Sequence, residues 1–167
     1  LAMTPTLMPD PDAASEEAII AATKTWVERA VIGLNLCPFA KSVFVKKQVR
    51  YALTAATTAD ELLAELEQEL TRLAETAPEE MDTTLLIHPL VMTDFLDFHF
   101  FLAEADALIR NLGFEGVFQI ASLHPRYEFA GSEADDIANF TNRSPYPTLH
   151  ILRESSIDRA VAAFPDA

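Results

Sequence analysis

The sequence predicts a single-domain α/β sandwich, with about four strands in a mixed, mostly parallel sheet packed by helices. Three observations carry this. Short apolar runs alternate along the chain with amphipathic stretches of helical period, the order expected of β-α-β units. Two of those runs, Leu85-Leu86-Ile87 and Ile120-Ala121-Ser122-Leu123, end in the same dipeptide, His88-Pro89 and His124-Pro125, with a long helical pattern between them. The 167 residues, half of them hydrophobic, suffice for one buried core without covalent staples.

The first 14 residues carry Pro5, Pro9 and Pro11 and read as a flexible arm, which leaves a single domain over 15–167. Ser15 is the expected cap of a first helix, with Ile19, Ile20, Thr23, Trp26, Val27, Ala30 and Val31 at spacings of three and four and Gly33 at its end. Leu34 to Ser42 makes a tight, largely apolar connection. From Val43 to Leu53, Val43, Val45, Val49, Tyr51 and Leu53 alternate as in a strand, with Lys46-Lys47-Gln48 placed to bulge or split it. Thr58-Ala59-Asp60-Glu61 has capping-box spacing ahead of the stripe Leu62, Leu63, Leu66, Leu70 and Leu73, and this helix stops before Pro78.

Thr83 to Ile87 is a short buried strand. Thr93 or Asp94 caps a third helix, whose apolar face is Phe95, Phe98, Leu102, Ala105, Ile109 and Leu112 and whose stop is Gly113. Val117 to Leu123 is the next strand. A long loop rich in Pro, Asn, Ser and Thr runs from His124 to Pro147, a length that in compact domains marks function or disorder. Thr148 to Leu152 returns as a strand, and Ser155 or Ser156 starts a final helix through Ala163. Right-handed crossovers lay the first three strands parallel, and the fourth is expected at an edge, with an antiparallel direction left open.

Charge and composition remove several function classes. A net charge of -14, from 26 acids and 12 bases, repels phosphate backbones and anionic lipid, so neither nucleic acid nor membrane is an expected partner. One cysteine excludes an internal disulfide and fits a reducing, cytoplasmic location. No apolar stretch reaches the length of a membrane span, and Leu1 to Asp12 lacks the basic and apolar regions of a signal peptide. There is no Walker loop, GxGxxG or GxSxG, and with four glycines a glycine-built phosphate cradle is not expected. No cofactor is predicted.

The chemistry-bearing residues converge on one expected place. Parallel strands bring His88 and His124 to the carboxyl rim of the sheet, where open α/β sheets bind ligands. On adjacent strands, about 4.8 Å apart, the two imidazoles would share a ligand. A metal held through His88 and His124 is the lesser reading, because HxH, HExxH and CxxC patterns are absent. Arg126 and Tyr127 follow His124 directly, and Arg143 offers a bidentate fork for a carboxylate or phosphate. Asn139, Thr141, Asn142 and Ser144 add donors and acceptors. Cys37, close to Lys41, is a secondary candidate nucleophile, set against the ordinary reading of a buried cysteine. His99 reads as a boundary residue of the third helix, and His150 points opposite its apolar neighbours in the last strand.

The segments Gly33-Leu34-Asn35-Leu36-Cys37-Pro38-Phe39-Ala40, His88-Pro89 and His124-Pro125-Arg126-Tyr127-Glu128-Phe129-Ala130-Gly131 carry a family likeness. So does Asn139-Phe140-Thr141-Asn142-Arg143-Ser144-Pro145-Tyr146-Pro147-Thr148-Leu149-His150. Together they make the chain resemble, from about Ala14 onward, a bacterial family of single-domain proteins classed as a domain of unknown function. The resemblance implies no activity, so the functional expectation rests on the residues. It is an enzyme acting on a small anionic metabolite, with His124 and His88 transferring protons in hydrolysis or group transfer. The competing expectation is a non-catalytic ligand-sensing or protein-interaction module, and association into a homodimer stays open.

Overall fold

A computed structural model describes residues 15–28, 48–128 and 143–163. Among these, four helices and four strands follow in the order α1 (Glu16–Trp26), β1 (Val49–Leu53), α2 (Ala59–Ala74), β2 (Thr83–Ile87), α3 (Phe95–Asn111), β3 (Phe118–Leu123), β4 (Thr148–Arg153) and α4 (Glu154–Ala163). Gly33 and the Val43–Lys47 stretch lie outside the described residues.

Local sequence chemistry sets the helix ends. The Ser15 hydroxyl accepts from the Ala18 N–H, the Thr58 hydroxyl from Glu61 and the Asp94 carboxylate from Asp97, each three residues on. The capping box at α2 is shifted by one residue. Glu61 reaches back to the N–H and hydroxyl of Thr57, at 2.9 and 3.1 Å. At the end of α3, Gly113 takes φ +79°, and the Phe114 N–H bonds the Ile109 carbonyl while the Gly113 N–H bonds that of Arg110. This is the paired closure that a left-handed residue after a helix permits.

The fold class is α/β, but the sheet is not mostly parallel. Strand order is β1-β2-β4-β3; only β1 and β2 pair parallel, and β4 is antiparallel to both of its neighbours. The fourth strand therefore enters the middle of the sheet, not its edge. The crossover through α3 sets β3 down two positions from β2, and β4 fills the gap with its ladder satisfied on both sides. Leu149 and Ile151 are fully buried there, which an edge position would not give. Because β2 and β3 still run in the same direction, their carboxyl ends keep to one rim.

The two sheet faces have different covers. The rows Ala52–Leu86–Leu149 and Thr84–Ile151–Ile120 belong to the main core, against α2 and α3. Leu62, Leu66, Leu70 and Leu73 of α2 and Phe98 and Ala105 of α3 are all completely buried. Phe101, outside the expected α3 stripe, is buried too, whereas Phe95, Leu102 and Leu112 are only partly covered. The other face carries the row Tyr51–Leu85–His150–Ala121, and Val27 at the end of α1 packs there with Leu85 and Leu123. Arg153 ties the end of the sheet to α2, its Nη2 within 2.7–2.9 Å of the Leu73, Thr76 and Met81 carbonyls. Among the described residues no helix is long and apolar enough to cross a membrane.

One acid lies inside the leucine stripe. Glu69 is 7% exposed and takes a two-point grip from Arg50, at 2.8 and 3.1 Å. Arg50→Met leaves that carboxylate buried with only Arg72, 3.8 Å away. Since Arg50 itself is about one-third exposed, the expected loss is about 1–2 kcal/mol, below that of a sealed pair. Urea unfolding checks this, and an unchanged midpoint would mean that water screens the pair.

Candidate functional site

The strands end with Ile87 and Leu123 facing α1, so the next side chains, His88 and His124, turn toward α3. There they meet the first turns of that helix. The Phe98 ring lies 5.2 Å from the His88 ring and 5.5 Å from the His124 ring, and Phe95 lies 5.4 Å from His124. Both histidines are completely buried. Thr148 of β4 pairs with Ile87 on one side and Leu123 on the other. The imidazoles therefore leave strands that are two spacings apart, roughly 9–10 Å, not adjacent ones. Phe98 is what they share.

Hydrogen bonds fix the protonation of each ring. The Arg126 backbone N–H donates to His124 Nδ1 at 3.0 Å, so Nδ1 is the bare nitrogen. Nε2 then carries the proton and donates to the Met92 carbonyl at 3.1 Å. Met92 has φ +56°, the only non-glycine in that region among the described residues, and its carbonyl accepts the His124 proton. His124 thus stitches the loop after β2 to the turn after β3. Burial holds its pKa below the ordinary histidine value. His88 uses Nδ1–H on the Val91 carbonyl at 2.9 Å, and its buried Nε2 has no hydrogen-bond partner. Burial pushes its pKa down to about 4.

The remaining expected residues divide. The Arg143 Nε–H donates to the Tyr127 carbonyl at 2.8 Å, and the Tyr127 ring lies tilted against Phe95, 5.3 Å between centroids. Tyr127 N–H also closes a turn onto the His124 carbonyl. Arg143 and Tyr127 therefore stand at the same rim as the histidines. Arg126 is exposed beside them. Ser144 is buried, its hydroxyl donating to the Tyr146 carbonyl within its own turn. Cys37, Asn139, Thr141 and Asn142 lie outside the described residues. His99 is exposed on α3, and His150, on the α1 face of the sheet, is pushed down to about 4 by burial.

Sequence reasoning missed an open cleft of about 420 Å³ where the first turns of α2 and α3 converge. Its lining runs from Thr57, Thr58 and Ala59 across Val91–Asp94 to Asp97, Phe100, Phe101 and Glu104. The signal for it was present as two capping motifs, each opening a helix that follows a strand of the parallel pair. Three carboxylates and three threonine hydroxyls line it, with no base.

A metal shared by the two rim imidazoles does not fit these residues. Both nitrogens of His124 are committed to backbone, and Phe98 contacts both rings. Among the described residues no group of three His, Cys, Asp or Glu side chains is placed to hold a metal ion. Compared with known proteins, the chain is matched over residues 18–167 by the family model described as "Protein of unknown function (DUF1415)". No curated protein and no solved structure matches it.

Proposed function

The chain belongs to the DUF1415 family, and we propose that it is a non-catalytic binding domain whose carboxyl rim is held in shape by His88 and His124. One observation carries this reading: His124 has a backbone donor on one nitrogen and a backbone acceptor on the other. A general acid–base catalyst needs a nitrogen within hydrogen-bond reach of the substrate. Protonating Nδ1 would also break the Arg126 bond that positions the turn. The single cysteine supports a reducing, cytoplasmic setting.

Long-range nitrogen–proton NMR of the imidazoles tests it. His124 is expected as the Nε2–H tautomer and His88 as the Nδ1–H tautomer at neutral pH, both rings taking a second proton only below the ordinary histidine value. A His124 ring that titrates near its ordinary value of about 6.5, with both nitrogens exchanging, would overturn the proposal.

The enzyme reading is favoured by one feature, the unpartnered Nε2 of His88 at the same rim as Arg143. In that reading His88 is the base and Arg143, helped by Arg126, grips a carboxylate or phosphate, with Tyr127, Ser144, Asn139, Thr141 and Asn142 around it and Cys37 as a nucleophile. Inorganic phosphate and small dicarboxylates should then raise Tm, and Arg143→Gln should abolish the rise. If no anion moves Tm, the enzyme reading fails.

A further inference from the structure

We propose that the α2–α3 cleft and the apolar stripe beside it dock a basic amphipathic segment of a partner protein. The proposal rests on the binding-domain reading and names its partner class. Phe100 is 67% exposed and Leu96 59% exposed, although α3 already buries Phe98 and Phe101. Leu96 and Phe100 are four residues apart and so adjacent on the helix surface. Phe100 also lines the cleft, as do Val91, Met92 and Phe101. Two exposed apolar side chains leading into an open cleft with an acidic, partly apolar lining suit the anchor side chains of an amphipathic helix laid in a groove.

Charge decides the occupant. Residues 51–111, which span both helices, hold 13 acidic side chains and two basic ones, Arg72 and Arg110. Asp94, Asp97 and Glu104 line the cleft itself. A field of one sign around an apolar centre draws partners of the opposite sign and rejects like charge. A second copy of this chain, at -14, is rejected on that ground. So are the first 14 residues of the chain, which carry Asp10 and Asp12 and no base. Asp97, Phe100 and Glu104 also extend over two helical turns, about 10 Å, a reach that suits a peptide segment better than a small amine.

The test uses the full chain and a fluorescein-labelled Leu/Lys amphipathic peptide of about 14 residues, read by anisotropy at about 0.15 M salt. Leu96→Ser with Phe100→Ser, both at exposed positions, is expected to weaken binding by at least about 10-fold. Asp97→Asn with Glu104→Gln is expected to weaken it about 5-fold and to flatten its salt dependence. Glu79→Gln with Glu80→Gln removes equal charge beyond the far end of α2 and should change binding by less than about twofold. Equal losses from the two charge pairs would mean diffuse attraction and overturn the proposal. So would tight binding of the same peptide with Glu in place of Lys, or self-association in sedimentation that the Leu96/Phe100 changes abolish. Failure of the peptide with the imidazoles still pinned removes only this partner; imidazoles that titrate freely remove the binding-domain reading whether or not the peptide binds.

Discussion

Phe98→Ala is expected to cost about 3–5 kcal/mol and to loosen both rim histidines together. Phe98 has no exposed surface, and its ring contacts both imidazoles as well as the main core. Truncation loses the transfer energy of the ring and leaves a void that only partly collapses, because β2, β4 and β3 fix the surrounding backbone. The two imidazoles would then border a space that water can enter, which removes part of the burial that keeps them neutral. Urea unfolding reads the first effect and imidazole NMR the second. Phe98→Leu keeps most of the volume and should cost about 1–1.5 kcal/mol with both tautomers retained. A loss under about 1 kcal/mol in Phe98→Ala, or unchanged imidazole signals, would show that Phe98 does not couple the two His-Pro ends.

What the sequence discloses about this fold is what local chemistry decides. Ser15, Thr58 and Asp94 cap helices because a short polar side chain followed by helical periodicity has few other uses. Thr83–Ile87 is strand because five small and β-branched or leucine side chains stand between turn residues. The rim position of His88 and His124 followed from strand direction alone, and direction followed from the helix between them. The place of β4 did not, because the alternation Thr148–Leu149–His150–Ile151 is the same in an edge strand and a central one. Its insertion depends on which pairing the long preceding loop can reach, a choice made between distant segments. The role of His124 was hidden for a related reason. Its contact with the Met92 carbonyl turned on the left-handed conformation of a residue 32 positions away, which no local pattern announces. Phe101 was missed since an α3 stripe drawn from Phe98 and Ala105 is narrower than the arc the helix buries.

Acidification from about pH 6.5 to 4 is expected to remove on the order of 3 kcal/mol of stability through His88 alone. In the unfolded chain this imidazole takes a proton near its ordinary value of about 6.5, whereas in the folded protein it stays neutral down to about 4. Between those limits the unfolded state binds more protons, so stability falls with falling pH and is fully present only above the unfolded value. His150, also held down to about 4, and His124, shifted in the same direction, add to that slope. Relief of repulsion among the 26 acidic side chains opposes it as they protonate, at the lower end of the window. A variant isolates the imidazole from that background. In His88→Asn the side-chain amide can still donate to the Val91 carbonyl but cannot titrate, so the stability–pH slope should drop by about one proton across the window while every carboxylate stays in place. Chemical denaturation at a series of pH values compares the two slopes. Parallel curves for the wild type and His88→Asn would mean that this ring accepts its proton in the folded state as readily as in the unfolded one, and the rim would then be open to water at His88.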